Sequence, residues 1–371
     1  MNSMKGSKSK VLSLISTLNP LANPRGAKKL CELCEKPSYL QCTKCRVTFY
    51  CDSEHQQADW VGIHEKVCQL LIPIRTTVDF HSLQADRDNH CAQTLQRQEE
   101  LIEISRAVAQ KSLFEGKYQQ SLPASQLSLR CAMNVYGPRA LQLVPAYLLL
   151  AEANIGLGSL AQAEEYLSQA EWTVMKMPEC SHTIRHQLHR NLGRLYAAKD
   201  NLEGALLHFA NDVYYSCEEH GLENIVTCGG YFLMANVFTK QGKMDIANSL
   251  YTEVASTWHS HLTTLLDTHT QGSRMLPQLL DEAQQAEADQ MLRAMLEIQE
   301  SSPKQDAAQK VLVSHSLAML WFLGGSLDKA LDFGRQALQL SQLVPDHSLA
   351  EPIQILMQLA AERDQHPTNA S

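Results

Sequence analysis

Residues 31–68 read CELCEKPSYLQCTKCRVTFYCDSEHQQADWVGIHEKVC, and eight side chains in this stretch could bind a metal. They fall as four pairs: Cys31/Cys34, Cys42/Cys45, Cys51/His55 and His64/Cys68. Two C-x2-C pairs, a C-x3-H pair and an H-x3-C pair supply enough soft ligands for two tetrahedral zinc ions. A segment this short cannot bury a useful apolar core, so metal coordination has to supply most of its folding energy. The bland alternative is a set of scattered buried or disulfide-bonded cysteines. Against it, six of the eleven cysteines of the chain crowd into this one stretch at ligand spacing.

The residues between the ligands carry a further signal. The order Cys31-x2-Cys34-x7-Cys42-x2-Cys45-x4-Tyr50-Cys51, followed by Gln56, Asp59-Trp60 and His64-x3-Cys68, resembles the MYND zinc finger. The resemblance implies an interleaved arrangement, the first and third pairs binding one zinc and the second and fourth the other. Spacing alone does not set that pairing. It also implies a groove for short proline-containing peptides, which maps onto Gln56 and Trp60, with Tyr39 and Phe49 as further walls. An exposed Trp suits such a groove because a rigid aromatic surface stacks on a preformed proline segment at small entropic cost. The competing reading is that Trp60 packs against the zinc core. The sequence departs from the family pattern twice. His55 stands where most members have cysteine, a position imidazole can still fill. Three residues, rather than the usual two, separate Trp60 from His64.

The chain has 371 residues, 44% hydrophobic and 6% aromatic, which suits one small module plus a larger helix-rich domain. No run approaches the roughly eighteen apolar residues of a membrane-spanning helix. Cysteines at metal spacing without a secretory signal point to a reducing compartment, and the expected location is the cytoplasm. The net charge of −8 is unevenly spread. Residues 1–30 hold Lys5, Lys8, Lys10, Arg25, Lys28 and Lys29 and no acid, and read as a basic disordered tail. With +6 there and −2 in residues 31–68, residues 69–371 carry −12. That balance argues against phosphate-backbone binding, so nucleic acid is not an expected partner. No membrane partner is expected either.

Residues 69–98 read as a polar linker that becomes helical near Ala92. Beyond it the chain repeats. Gly116-Lys-Tyr118-x2-Ser121, Gly158-Ser-Leu160-x2-Ala163, Asp200-Asn-Leu202-x2-Ala205 and Gly242-Lys-Met244-x2-Ala247 recur every 42 residues, and Gly325-Ser-Leu327-x2-Ala330 follows 83 later. Each block reads as a helix, a short turn and a second helix, with the small residue of the second helix allowing close approach. Leu192-Gly193-x2-Tyr196 with Phe209 completes the strongest copy. The pattern resembles the tetratricopeptide repeat, with helices about one turn longer than usual. Residues 255–300 keep the repeat length but lose its signature, with a break over Gly272–Pro277 and a stop at Pro303. The predicted organisation is a tail (1–30), the finger (31–68), a linker (69–98), helical repeats (99–345) and a capping helix with its tail (346–371). The fold class is all-α, a helical-hairpin solenoid with an N-terminal two-zinc finger.

Other constellations are weaker. His182, His186 and His189 would share one helical face, but structural zinc needs four ligands and no acidic or cysteine partner is close in sequence. His259, His261 and His269 read the same way. No nucleophile triad, phosphate loop or paired-carboxylate motif stands out. The expected function is a non-catalytic adaptor, with zinc as the cofactor. Its protein partners would be a proline-containing peptide at the finger and a basic or amphipathic segment at the repeats. Resemblance to long repeat proteins of motile cilia and flagella names an axonemal setting. The competing functions are a lysine methyltransferase related to MYND-containing SET enzymes, for which too little chain precedes the finger, and a transcriptional corepressor.

Overall fold

The computed structural model of the chain describes residues 14–18, 29–76, 83–270, 280–301, 306–344 and 349–365. Most of the expected basic tail, the expected break at Gly272–Pro277 and Pro303 lie outside the described residues. The chain divides into two compact units, Met1–Glu179 and Cys180–Ser371. No helix is long and apolar enough to cross a membrane among the described residues.

In the first unit, Ile15–Thr17 (β1), Leu40–Cys42 (β2) and Phe49–Tyr50 (β3) form an antiparallel sheet in that order. Ile15 faces Cys42 and Thr17 faces Leu40, while Leu40 also faces Tyr50. This corrects the tail expected over residues 1–30: Ile15–Thr17 is a strand, and Leu14 packs against the cysteine-lined core of the finger. A strand of three residues is too short to show an alternating pattern. Ser53–Asp59 (α1), a π-helical turn over Trp60–His64 and Glu65–Val67 (α2) follow one another directly, and Ile72–Arg75 (α3) comes next. Gln84–Phe114 (α4) packs on Tyr118–Tyr136 (α5), and Val144–Gly156 (α6) on Leu160–Met175 (α7). Residues 84–98, expected to be linker, therefore belong to α4. Most of them are exposed, so nothing in their sequence had to record a buried stripe.

In the second unit, three hairpins pair His182–Ala198 (α8) with Leu202–His220 (α9), Ile225–Lys240 (α10) with Met244–Thr270 (α11), and, after Glu282–Ser301 (α12), Ala307–Leu323 (α13) with Leu327–Ser341 (α14). Ala350–Gln365 (α15) packs on α14. The weak repeat at 255–300 has a structural explanation. Trp258 and Leu262 belong to an α11 extended to Thr270, and α11 packs directly on α13. The helix α12 lies mainly along α13 instead of forming a hairpin with α11.

The 42-residue period is written in the backbone. Gly116, Gly158, Asp200, Gly242 and Gly325 all have positive φ, at 71°, 75°, 61°, 73° and 76°. Each closes the first helix of a hairpin in the left-handed conformation that favours glycine, and Asp is among the residues that tolerate it. The next residue then donates its N–H to the carbonyl five positions back: Lys117 to Ser112, Ser159 to Asn154, Asn201 to Tyr196, Lys243 to Phe238 and Ser326 to Trp321, all at 2.8–2.9 Å. That six-to-one bond satisfies a carbonyl the ending helix leaves orphaned. Five residues past each turn centre, Ser121, Ala163, Ala205, Ala247 and Ala330 are buried where the second helix meets the first. In the α8–α9 hairpin the approach is close enough that a Cβ added at Gly193 would sit 2.5 Å from the Phe209 ring. Gly193→Ala should therefore cost about 1–3 kcal/mol of stability despite its better helix propensity. Chemical unfolding of the full chain measures this, with Leu207→Ala, exposed on α9, expected to change little.

Candidate metal centre and docking face

The eight ligands gather into two groups, Cys31, Cys34, Cys51 and His55, and Cys42, Cys45, His64 and Cys68. In each group the ligand atoms lie within 4.8 Å of one another, and these are the metal-competent clusters among the described residues. The first and third pairs meet, and the second and fourth, as the resemblance implied. Zinc–sulfur bonds of about 2.3 Å in a tetrahedron require sulfur–sulfur edges of about 3.8 Å and slightly shorter sulfur–nitrogen edges. Cys34 and Cys51 Sγ atoms are 3.6 Å apart and those of Cys42 and Cys68 3.9 Å. His55 Nδ1 lies 3.4 Å from Cys31 and 3.1 Å from Cys51, and His64 Nε2 lies 3.6 Å from Cys45. These edges fit one zinc ion in each group. All eleven cysteines of the chain are free thiols, so the disulfide alternative falls. Crowding also shows in the thiols: the hydrogen bond from Cys42 draws Cys45 down to about 3, while the same contact pushes Cys42 up.

Local backbone geometry explains why the spacing works. Each C-x2-C pair ends in a tight turn whose next residue, Glu35 or Arg46, has positive φ and donates its N–H to the carbonyl of Cys31 or Cys42 at 3.0 Å. Cys51 and His55 bracket the start of α1, where Asp52 caps the helix by accepting from the His55 N–H at 2.7 Å. The extra residue between Trp60 and His64 is absorbed by the π-helical turn, in which the Glu65 N–H reaches back to the Trp60 carbonyl. The winding restores the position of His64 and Cys68. His64 turns Nε2 to the cysteines and has Asp59 Oδ2 3.5 Å from its Nδ1, and the Tyr50 hydroxyl donates to the same oxygen at 2.7 Å. Such outer partners fix ring orientation at metal sites.

The MYND finger family model matches residues 31–68. Residues 31–68 are a MYND finger. Egl nine homolog 1 of Homo sapiens and that of Mus musculus are each 49% identical to this chain over 43 residues. That is 11% of this chain and 10% of theirs, so the chain spans about a tenth of the length of these curated relatives. BtubC (BKLC) from P. vanneervenii, a solved structure, is 17% identical, covering 66% of this chain and 93% of its own. Its TM-score of 0.30 is too low to carry an argument about the fold.

The peptide face of the MYND finger is where the structure corrects the sequence reading. Gln56 is 0% exposed and Trp60 9%, so neither lines an open groove. The helix α5 packs across α1 and the π-helical turn, and α4 also touches that turn. A Cβ added at Gly62 would fall 2.8 Å from Pro123 Cγ and 2.9 Å from the Gln120 carbonyl of α5. Trp60 tilts against His64 with ring centroids 5.7 Å apart, and Lys44 Nζ sits 4.7 Å from its ring centroid. The packed reading of Trp60 therefore holds. Tyr39, at 66% exposure, stays at the surface, and Phe49 is half-buried beneath Lys29.

Glu32 ties the finger to the helices. Arg75 of α3 grips its carboxylate with two hydrogen bonds of 2.7 and 2.8 Å, and Arg130 of α5 donates to its carboxylate and, at 2.6 Å, to its carbonyl. Burial pushes the Glu32 carboxyl up, but the Arg75 hydrogen bond and the charges of Arg130 and Arg75 together hold it below its ordinary value. This stabilisation is present at neutral pH and is lost as acid protonates the lowered carboxylate. Sequence separation hid the contact, since nothing local links position 32 to position 130.

The histidines His186 and His189 of α8 pair with side chains of α9, His189 Nδ1 lying 3.1 Å from His208 Nδ1. His186 Nδ1 lies 3.2 Å from Asp212 Oδ1 of α9, an acidic partner distant in sequence. Arg190 Nε donates to Asp212 Oδ2 at 2.8 Å and Nη2 to the Val226 carbonyl at 2.7 Å. His259 and His315 pair with each other at 3.1 Å. Metal analysis of the full chain should return two zinc ions, and one would show that a histidine is not a ligand. Gly62→Ala should keep both zinc ions while lowering stability by about 1–3 kcal/mol through overpacking against Pro123. Unchanged unfolding would place α5 elsewhere.

Proposed function

We propose that this chain is a non-catalytic protein-binding scaffold. The observation that supports the reading most is the fusion of a MYND finger, a protein–protein interaction module, to a chain of helical hairpins built on one repeated turn. Hairpin arrays of this kind, which resemble tetratricopeptide repeats, present extended surfaces for helices or peptides. The −12 balance of residues 69–371 favours partners with basic or amphipathic segments. Because α5 covers Gln56 and Trp60, the finger contributes mainly by shaping the first hairpin and by its Tyr39 surface. A proline-containing peptide reaches the covered face only if α5 moves away. A cytoplasmic location with an axonemal setting in cilia or flagella rests on resemblance to other long repeat proteins.

The test uses the full chain as bait in extracts of ciliated and non-ciliated cells. The reading expects the same structural proteins in repeated captures, enriched from ciliated cells and released as salt screens the acidic body. In parallel, the purified chain is assayed with S-adenosylmethionine and lysine-containing protein. Methyl transfer would overturn the scaffold reading in favour of the SET-related alternative.

A further inference from the structure

Charge is segregated between the two kinds of helix in the second unit. The first helices of its hairpins, α8, α10 and α13, hold Arg and Lys and no Asp or Glu. The second helices α9 and α11 hold Asp and Glu and no Arg or Lys. On α9 the acids are Glu203, Asp212, Glu218 and Glu219. Asp212 is buried, and its charge is met by Arg190 at 2.8 Å. The other three are exposed and have no ion-pair partner among the described residues. Unmatched carboxylates on one surface attract cations from beyond contact distance.

The same helix exposes large apolar side chains that its own packing does not use. Ala205, Phe209, Asp212 and Ser216 form its buried side, whereas Leu207 is 64% exposed and Tyr214 58%. Leu207 and Tyr214 are seven residues apart, about 10.5 Å along one face of the helix. Glu203 precedes Leu207 by four residues and Glu218 follows Tyr214 by four, so carboxylates bracket the apolar pair on that face. Tyr214 is supported from behind. Its ring meets Tyr215 edge-on with centroids 5.2 Å apart, and Tyr215 stacks on His189 of α8 at 5.6 Å. A supported aromatic loses little freedom on binding, and tyrosines of this kind anchor protein interfaces.

We propose that the exposed face of α9 is a docking site for a basic amphipathic helix of a partner protein. The pattern of charge selects the occupant. A helix with two apolar residues one heptad apart fits Leu207 and Tyr214, and Lys or Arg four residues outside each of them meets Glu203 and Glu218. An acidic helix would face like charge at both ends of the same contact. The proposal rests on the scaffold reading and names the partner class for one of its surfaces.

The probe is a labelled synthetic helix with leucines at heptad spacing flanked by lysines, titrated into the full chain beside the same peptide with glutamate for each lysine. The lysine peptide should bind at least about tenfold more tightly than the glutamate peptide. Leu207→Ala with Tyr214→Ala should weaken it about tenfold and leave chemical unfolding nearly unchanged, because neither side chain is buried. Glu203→Gln with Glu218→Gln should weaken it about as much, while Asp245→Asn with Asp267→Asn on α11 should leave it within about twofold. Equal losses from the α9 and α11 changes would mean diffuse attraction to an acidic protein and overturn the proposal. Equal binding of the two peptides, or indifference to Leu207 and Tyr214, overturns it as well. If the alanine pair lowers stability, the Glu203 and Glu218 changes, which alter no packing, decide alone. Partner capture by the full chain that survives the Leu207 and Tyr214 changes overturns this site and keeps the scaffold reading, so the two fail separately.

Discussion

Two groups of four metal ligands are the constraint on which the first unit is built. The finger has little apolar interior of its own: its core cluster consists largely of the cysteines, with Tyr50 and Trp60. The ligands fix the two C-x2-C turns, the start of α1 and the end of the π-helical turn, and so position Gly62 and Glu32. Those two residues are where the helical body takes hold, Gly62 through Pro123 and Glu32 through Arg130. Metal geometry is thus transmitted to hairpin packing through one close backbone approach and one shared carboxylate. A half-buried carboxylate is stabilising only when its oxygens are well matched, and Glu32 has a full set of hydrogen bonds from Arg75 and Arg130.

On the finger, the face that the sequence marks for a proline-containing peptide is covered by α5, a helix of the same chain. That helix joins an arginine–carboxylate contact, Arg130–Glu32, to the close approach of Pro123 to Gly62. In the second unit, taken by itself, Glu287 lies 3.9 Å from Arg190, and burial raises its carboxyl above its ordinary value despite that charge.

Much of this was legible in the chain because the signals were local. Zinc ligands are identified by spacing within a few residues, and the repeat by a left-handed turn that demands glycine or tolerates Asp200. Even the extra residue before His64 was visible, although its resolution into a π-helical turn was not. The covering of α1 and the π-helical turn, which carry Gln56 and Trp60, was hidden because it comes from α5, far along the sequence. Asp212 as the partner of His186 was hidden for the same reason. The first turns of α4 were missed because an exposed helix carries no apolar stripe, and β1 because three residues cannot display alternation. Long-range pairing, rather than local propensity, marks the boundary of what the sequence disclosed.

The central claim is that the finger and the first hairpin are one cooperative body, against the independent modules that the sequence suggested. Hydrogen exchange of the full chain before and after zinc removal tests it most directly. The account predicts that residues 118–136 lose protection together with residues 31–68, while α13 and α14 keep theirs. If residues 31–68 unfold and α5 retains its protection, the finger is a separate module and the docking described here does not hold it.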